Sequence, residues 1–107
     1  MAAPVVERRA KKRFLIERPV RYRHLYGAAL GQIGSGIALE ASSNGVWLDA
    51  ETELRVGDPV ELLIDWPAQL NGVVPLQLVT AGCVVRVVGN RAAITVERYE
   101  FRTRSNK

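Results

Sequence analysis

The chain has 107 residues, of which 48% are hydrophobic and 24% are charged, and it contains one cysteine and one histidine. This length leaves room for one domain, and this composition is typical of a globular protein. The single cysteine excludes an internal disulfide, and one thiol and one imidazole exclude a Cys/His metal cluster. No apolar stretch approaches the ~20 residues of a membrane-spanning helix. We therefore expect a cytoplasmic protein without membrane insertion that binds rather than catalyses.

The net charge of +4 is distributed unevenly along the chain. Residues 1–25 carry eight Lys or Arg against two Glu, residues 26–97 carry three against eight Asp or Glu, and residues 98–107 carry four against one. The two ends are therefore basic and the middle is acidic. This pattern favours an anionic partner held by the terminal segments, although a basic tail can also serve solubility alone.

Alternation of apolar and polar residues predicts β-strands after the basic N-terminal segment, and no stretch has a convincing helical period. In the segment 58–66, Val60, Leu62, Ile64 and Trp66 share one face, as in a half-buried strand. The other predicted strands are apolar runs between turn signals, at 15–23, 37–41, 46–50, 76–88 and 92–97. Six short strands in one small domain favour an antiparallel β-barrel or sandwich.

Glycine and proline positions predict where these strands turn or bend. Pro19 marks an edge or a bulge in the first strand, because proline cannot donate to a ladder. Gly82 predicts a bend in the long strand 76–88, and Gly89-Asn90 predicts a two-residue hairpin after it. Glu51 to Arg55 has room for one helical turn. Further turns are predicted at Gly34-Ser35-Gly36, Ser43-Asn44-Gly45, Val56-Gly57-Asp58-Pro59 and Asn71-Gly72.

Two segments contain the residues with the clearest chemistry. The first, Glu7-Arg8-Arg9-Ala10-Lys11-Lys12-Arg13, precedes the first strand. Arginine pairs bidentately with phosphate oxygens and stacks on aromatic bases. Because Arg9 and Arg13 are four residues apart, one can reach a base while the other reaches a phosphate. A nonspecific nucleic-acid tail would also carry such arginines.

The second segment, Glu40-Ala41-Ser42-Ser43-Asn44-Gly45, lies between two predicted strands. Ser42, Ser43 and Asn44 supply hydrogen-bonding groups without bulk. Gly45 permits a positive φ or the close approach of a ligand. Successive backbone N–H groups in such a turn can bind an anion, but the same residues also form ordinary β-turns.

The two segments together resemble a PilZ domain, a bacterial receptor module for cyclic di-GMP. That family carries RxxxR before its first strand, matched here by Arg9-Ala10-Lys11-Lys12-Arg13. It carries (D/N)xSxxG about thirty residues later, matched by the segment 40–45 except at Glu40. The resemblance extends from Arg8 to about Phe101. It implies a six-stranded antiparallel β-barrel over 14–101, a flexible basic N-terminal arm over 1–13 and a C-terminal tail over 102–107.

The resemblance also implies how each residue would act. Arg9 and Arg13 would contact the phosphates and guanines of cyclic di-GMP, with a further contact from Arg8. Ser42 would bind the ligand from the barrel surface, beside Ser43 and Asn44, and Gly45 would keep the turn open. Glu40 departs from the pattern, since it keeps a carboxylate but is longer by one methylene. The arm would close over the ligand and change the surface shown to a protein partner, with no cofactor and no catalysis.

Two other functions fit the same residues. Some PilZ domains bind no nucleotide and act as protein-interaction modules, which Glu40 favours and the intact arginine motif opposes. A small β-barrel that binds single-stranded nucleic acid would suit the basic ends but not the acidic middle, so we expect neither DNA nor RNA as partner. An enzyme is expected least, because no nucleophile–base pair or phosphate loop is evident. The expected oligomeric state is a monomer or a weak homodimer.

Residues outside the two motifs have simpler interpretations. Trp47 and Trp66 are expected in the core, with Trp47 the nearer to a ligand. Cys83 is expected to be a buried small hydrophobe. Arg86 is expected to face solvent, with a ligand or partner contact as the alternative.

Overall fold

The structure, a computed structural model, describes residues 13–103. Most of the expected N-terminal arm, including Arg8 and Arg9, therefore lies outside the described residues. Seven strands make up most of the described chain: β1 Phe14–His24, β2 Ile33–Ala41, β3 Gly45–Ala50, β4 Pro59–Leu70, β5 Val74–Val88, β6 Arg91–Thr95 and β7 Arg98–Thr103. A single 3-10 turn, Gly27–Ala29, is the only helical element within residues 13–103. No helix in this part of the chain has the length and apolar character needed to cross a membrane.

The strands close into a barrel. Around it the order is β4-β1-β2-β3-β6-β5, and β5 pairs again with β4, so six antiparallel strands form a ring. β7 pairs with β5 outside this ring and with no other strand of the described region. The predicted six-stranded antiparallel barrel is thus confirmed, with one additional strand. β7 runs to Thr103, so Arg102 and Thr103 belong to a strand rather than to the expected tail.

The long strand β5 joins two parts of the barrel. Its first part pairs with β4 and β7, and its last residues, from Val84 to Val88, pair with β6. Gly82 lies near the end of the first part, and an added Cβ there would stand 1.8 Å from the carbonyl oxygen of Thr95. Only glycine permits such a close backbone approach. The predicted two-residue hairpin is confirmed, because Gly89 and Asn90 connect β5 directly to β6.

The core fills the inside of the barrel. Val60, Leu62 and Ile64 are fully buried, as their alternation predicts, and Trp66 packs against them at the end of the barrel. Burial of each such side chain contributes about 1.5–3 kcal/mol. Tyr22 is also fully buried, and its hydroxyl lies 2.7 Å from Thr52 Oγ1 and accepts the Thr52 N–H at 3.1 Å. The hydroxyl of this buried tyrosine therefore has hydrogen-bond partners.

The predicted turn at Gly34-Ser35-Gly36 is wrong, because these residues lie inside β2. A Cβ on Gly34 would stand 2.3 Å from the Tyr22 ring, and a Cβ on Gly36 would stand 2.0 Å from the Asp49 carbonyl oxygen. The glycines are therefore present for close packing against neighbouring strands and not for chain reversal. The predicted helical turn at 51–55 is also absent, since this segment is irregular.

Pro19 occupies a part of β1 that suits a residue without an N–H. The β1–β2 register shifts between Leu15 and Arg18, where Glu17 has φ 45°, and pairing with β4 begins only at Val20. This stretch of β1 therefore has β2 as its only partner strand among the described residues. The predicted bulge or edge at Pro19 is confirmed.

Candidate functional site

The turn between β2 and β3 is held together by Ser42. Its Oγ accepts the backbone N–H of Asn44 at 3.2 Å and of Gly45 at 3.3 Å, while its own N–H donates to the Gly45 carbonyl at 2.9 Å. This is the local serine turn that competes with regular strand pairing. Two of the backbone N–H groups of this turn, which could otherwise bind an anion, therefore donate to Ser42. What Ser42 can still offer a ligand is its O–H, whose nearest acceptor, the Gly45 carbonyl, is 3.4 Å away.

Gly45 is needed for packing and not for an unusual backbone conformation. It has no positive φ. A Cβ at this position would stand 3.0 Å from the Ile94 carbonyl oxygen on β6, which is closer than an ordinary Cβ contact. The glycine of the second motif therefore lets β3 lie closely beside β6. Its expected role of keeping the turn open for a ligand stays a prediction.

A surface cavity of about 290 Å³ lies beside this turn. It brings together Arg13 from the first predicted motif and Glu40, Ala41, Ser42, Asn44 and Gly45 from the second. Strands β3, β5 and β6 supply the rest of its wall: Val46, Trp47, Val85, Ala93, Ile94 and Thr95. Ser43 does not line this cavity, and Arg8 and Arg9 lie outside the described residues. We call this space the outer cavity.

Arg13 and Glu40 form an ion pair across the outer cavity. Arg13 Nη1 lies 3.7 Å from Glu40 Oε1, and the arginine side chain is 74% exposed. An exposed pair at this distance is too long for a hydrogen bond and contributes about 0.2–1 kcal/mol. Glu40 Oε1 is itself shielded from solvent and has no hydrogen-bond partner. The cavity thus contains a carboxylate oxygen that lacks a donor, beside a cation that is only weakly held.

Four side chains form a row across the outside of the barrel. Glu40 pairs with Trp47 across β2 and β3, Trp47 pairs with Ala93 on β6, and Ala93 pairs with Arg86 on β5. Ala93 is small, and the Arg86 guanidinium reaches over it to lie 5.9 Å from the centre of the Trp47 ring. This is within the range of a cation–π interaction. The row places a carboxylate, an indole and a guanidinium on one surface.

The expectation of a core position for Trp47 is wrong, whereas that for Trp66 is confirmed in part. Val46 and Leu48 are buried, so the residue between them faces outward. The expectation that Trp47 lies nearer to a ligand than Trp66 stays a prediction, and its contact with Arg86 does not follow from the sequence pattern. The alternation of strand residues was the available signal for Trp47, but three consecutive apolar residues obscured it. The contact with Arg86 depends on the register of three strands, which no local pattern reveals.

The outer cavity offers one indole ring, two hydroxyl groups, one carboxylate and one guanidinium group, and the Arg86 guanidinium lies over the Trp47 ring of its wall. These groups suit the binding of a polar planar molecule. Across residues 13–103, no group of three or more His, Cys, Asp or Glu side chains could hold a metal ion. No protein-family model matches this chain, and no curated protein is significantly similar to it.

Proposed function

We propose that this protein is a receptor of the PilZ type that binds cyclic di-GMP in the outer cavity without chemical change to the ligand. The observation that carries this proposal is the meeting of Arg13 from the first motif with Glu40, Ser42 and Gly45 from the second at one surface. Residues far apart in the sequence, singled out by the two motifs, line the same cavity. The family assignment itself rests on the motifs.

The charges of the cavity suit a dianionic ligand. A phosphate can form short, bidentate hydrogen bonds with Arg13, and such charge-assisted bonds are stronger than an exposed ion pair at 3.7 Å. The ligand would therefore take Arg13 from Glu40 at little cost in free energy. Arg9, four residues earlier in the sequence, would supply a second phosphate or guanine contact.

The remaining groups suit guanine. The unpartnered Glu40 Oε1 can accept hydrogen bonds from the donor edge of the base, and the Ser42 O–H can donate to an acceptor. Stacking of a base on an aromatic side chain contributes about 1–3 kcal/mol. Trp47 and Arg86 each offer a planar surface for such stacking. The signal would then pass from the bound ligand through residues 1–13 to a protein partner.

One observation favours a second candidate, a protein-interaction module of the same fold that binds no nucleotide. Glu40 replaces the Asp or Asn of the motif, and its longer side chain neutralises Arg13. In this alternative no nucleotide would separate Arg13 from Glu40, and their ion pair would persist. The two functions differ in one measurable property, the affinity for cyclic di-GMP.

The test is calorimetric titration of cyclic di-GMP into the full chain, with GTP as a competing guanine nucleotide. We expect saturable binding that also gives the stoichiometry. Arg9→Ala combined with Arg13→Ala should weaken it at least about a hundredfold, because two charge-assisted contacts of about 1.5–3 kcal/mol each are lost. The matched control, Arg21→Ala with Arg98→Ala, removes the same charge at exposed positions outside the outer cavity.

Equal weakening by both double variants would show that only net charge matters and would refute a specific site. Absence of binding at high micromolar cyclic di-GMP would favour the interaction module. A third result would be a binding constant whose logarithm falls linearly with the logarithm of the salt concentration, together with equally tight binding of single-stranded RNA. This result would indicate a nucleic-acid binder.

A further inference from the structure

Strand β7 differs from the other six strands because one of its edges has no partner strand. Each strand of the six-stranded ring has a neighbour on both sides, and a closed barrel has no free edge. β7 lies outside this ring and pairs only with residues 76–81 of β5. Its other edge pairs with no strand of residues 13–103, and all six of its residues are exposed. Such an edge is a place where a further strand can extend the sheet.

The two faces of β7 carry different kinds of side chain. Tyr99 and Phe101 alternate with charged residues, so the rings lie on one face of the strand and the charges on the other. The Phe101 ring lies 5.3 Å from the ring of Trp66, which packs against the core. Tyr99 and Phe101 are nevertheless about half exposed. A neighbouring strand with rings on the same face would cover this apolar surface.

The residue order of β7 is complementary to itself. In an antiparallel pair of two β7 strands centred on Phe101, Glu100 of each copy stands directly opposite Arg102 of the other, and the two Phe101 residues stand opposite each other. Opposite charges and aromatic pairs that face each other across a ladder stabilise it. Tyr99 stands opposite Thr103, so residues 99–103 all have a counterpart. The strand therefore fits a second copy of itself.

The ion pair within each strand is compatible with this arrangement. Arg102 Nε contacts Glu100 Oε2 of the same strand, and both side chains are 55% exposed. A carboxylate accepts hydrogen bonds at two oxygens and a guanidinium donates from three nitrogens, so each group can also meet its counterpart in the second copy. Two copies would thus bring together four charges of alternating sign on one face of the extended sheet.

Other symmetric registers suit the strand less well. A two-fold axis at Glu100 would place two carboxylates opposite each other, and an axis at Arg102 would do the same with two guanidinium groups. Like charges directly opposite each other destabilise a ladder. An axis at Tyr99 would pair Arg98 with Glu100, but only three residues of β7 would then have counterparts within the strand. The register centred on Phe101 combines opposite charges with the longer ladder.

From these observations we propose that the free edge of β7 pairs with β7 of a second copy of this chain. The result is a symmetric dimer in which the two strands run antiparallel and the two-fold axis passes by Phe101. Each copy contributes one short strand, so we expect weak association, with a dissociation constant in the micromolar range. No residue of β7 lines the outer cavity, so the proposal does not depend on cyclic di-GMP.

The test is sedimentation equilibrium of the full chain from low to high micromolar concentrations, together with hydrogen exchange of the β7 amides. We expect a monomer–dimer equilibrium, and slower exchange of amides at the free edge as the dimer forms. Glu100→Arg and Arg102→Glu should each weaken dimerisation at least about tenfold, because both ion pairs become contacts of like charge. These two variants change the net charge in opposite directions, so net charge cannot explain a shared weakening.

Two further variants make the test specific for the register. Glu100→Arg combined with Arg102→Glu restores opposite charges in both pairs and should restore dimerisation. Arg98→Glu is the matched control, because it makes the same change of charge on the same face of the same strand. Arg98 has no counterpart within β7 in the register centred on Phe101, so this variant should not weaken dimerisation.

Four results would overturn the proposal. The first is a monomer at high micromolar concentrations, which would leave the edge of β7 to a strand of another protein. The second is a combined variant that keeps the wild-type urea midpoint but does not dimerise. The third is weakening by Arg98→Glu as strong as that by Arg102→Glu. The fourth is a dimer in which the β7 amides exchange as they do in the monomer, which would place the interface on another surface.

Discussion

The outer cavity and a smaller second cavity, which we call the mouth cavity, both contain Ser42 in their walls, and each contains one of the two unpartnered buried side-chain oxygens of the described chain. Aromatic rings, among them those of Phe14, Trp66 and Phe101, line the mouth cavity. In the outer cavity it is a carboxylate oxygen of Glu40, beside guanidinium groups and an indole ring. In the mouth cavity it is the neutral hydroxyl of Thr80, surrounded by rings. One turn of the barrel thus separates a charged cavity from an uncharged one. The difference also separates the residues that should affect ligand affinity from those that should affect stability.

The largest effect on stability is expected in β5, the strand that contributes residues to both cavities. Gly82→Ala places a Cβ 1.8 Å from the Thr95 carbonyl oxygen, so the backbone of β5 or β6 must move. We expect a loss of roughly 3 kcal/mol in the free energy of unfolding, measured with urea, and impairment of both cavities. Gly45→Ala, where the same distance is 3.0 Å, is the milder control. Equal midpoints for the wild type and Gly82→Ala would contradict the close packing described here.

The two tryptophans should separate the regions most clearly. Trp66→Ala removes a ring that packs against the core, so we expect about 2–3 kcal/mol of destabilisation in urea. Trp47→Ala removes an outward ring and should cost less than about 1 kcal/mol of stability. It should instead weaken cyclic di-GMP about tenfold in calorimetry, because a stacking surface is lost. The assignment of Trp47 to the ligand site fails if affinity is unchanged and stability falls.

Glu40 allows a smaller, sharper comparison within the outer cavity. Glu40→Asp keeps a carboxylate acceptor but shortens its reach toward Arg13, so we expect cyclic di-GMP to bind several-fold more tightly, by about 1 kcal/mol. Glu40→Gln keeps the length of the side chain and removes its charge. Comparison of the two variants therefore separates the effect of releasing Arg13 from the effect of losing a carboxylate acceptor. Weaker binding of cyclic di-GMP by Glu40→Asp in calorimetry would show that the role given to Glu40 is wrong.

The smallest effect concerns Cys83 of β5. Burial raises the pKa of its thiol above the usual value, and the charge and hydrogen bond of Glu97 raise it further. The folded protein therefore keeps this proton longer than the unfolded chain. Any stability gained from this shift is present below the unfolded pKa and is lost as pH rises through the folded pKa.

The expected consequence is slow reaction with a disulfide reagent at pH 8, because the thiolate is the nucleophile. The rate should continue to rise above pH 9, where a free cysteine levels off. Glu97→Gln should make the thiol more reactive at pH 8, and an unchanged rate in this variant would remove Glu97 as a cause. Both reaction rates can be measured by absorbance.

Sequence alone predicted those parts of the fold that depend on local patterns. The alternation in β4 and the two-residue hairpin at Gly89-Asn90 were predicted because strand periodicity and turn chemistry are local. The glycines of β2 were misinterpreted as a turn, because nothing local shows that Gly34 lies against Tyr22. β7 is not among the predicted strands, because the segment is short and all of its residues are exposed, although Tyr99 and Phe101 alternate with charged residues.

The candidate site was predictable only as far as its motifs extend. The spacing of the two motifs predicts Arg13 and the segment 40–45 as site residues, and the structure places them at one cavity. Trp47 and Arg86 meet only because of the register across β3, β6 and β5, which depends on pairing distant in sequence. The contributions of Arg8 and Arg9 stay predictions, since both lie outside the described residues.

The order of strand pairing also has a consequence for how the protein folds. β4 and β5 are joined by a short loop, as are β5 and β6, so this part of the sheet can form through contacts close in sequence. The β1–β4 and β3–β6 pairings join distant segments and require closure of long loops, which is slow. The row from Glu40 to Arg86 crosses the β3–β6 seam. The outer cavity would therefore be completed only in the last stage of folding. Binding of a ligand there would indicate that the barrel has closed.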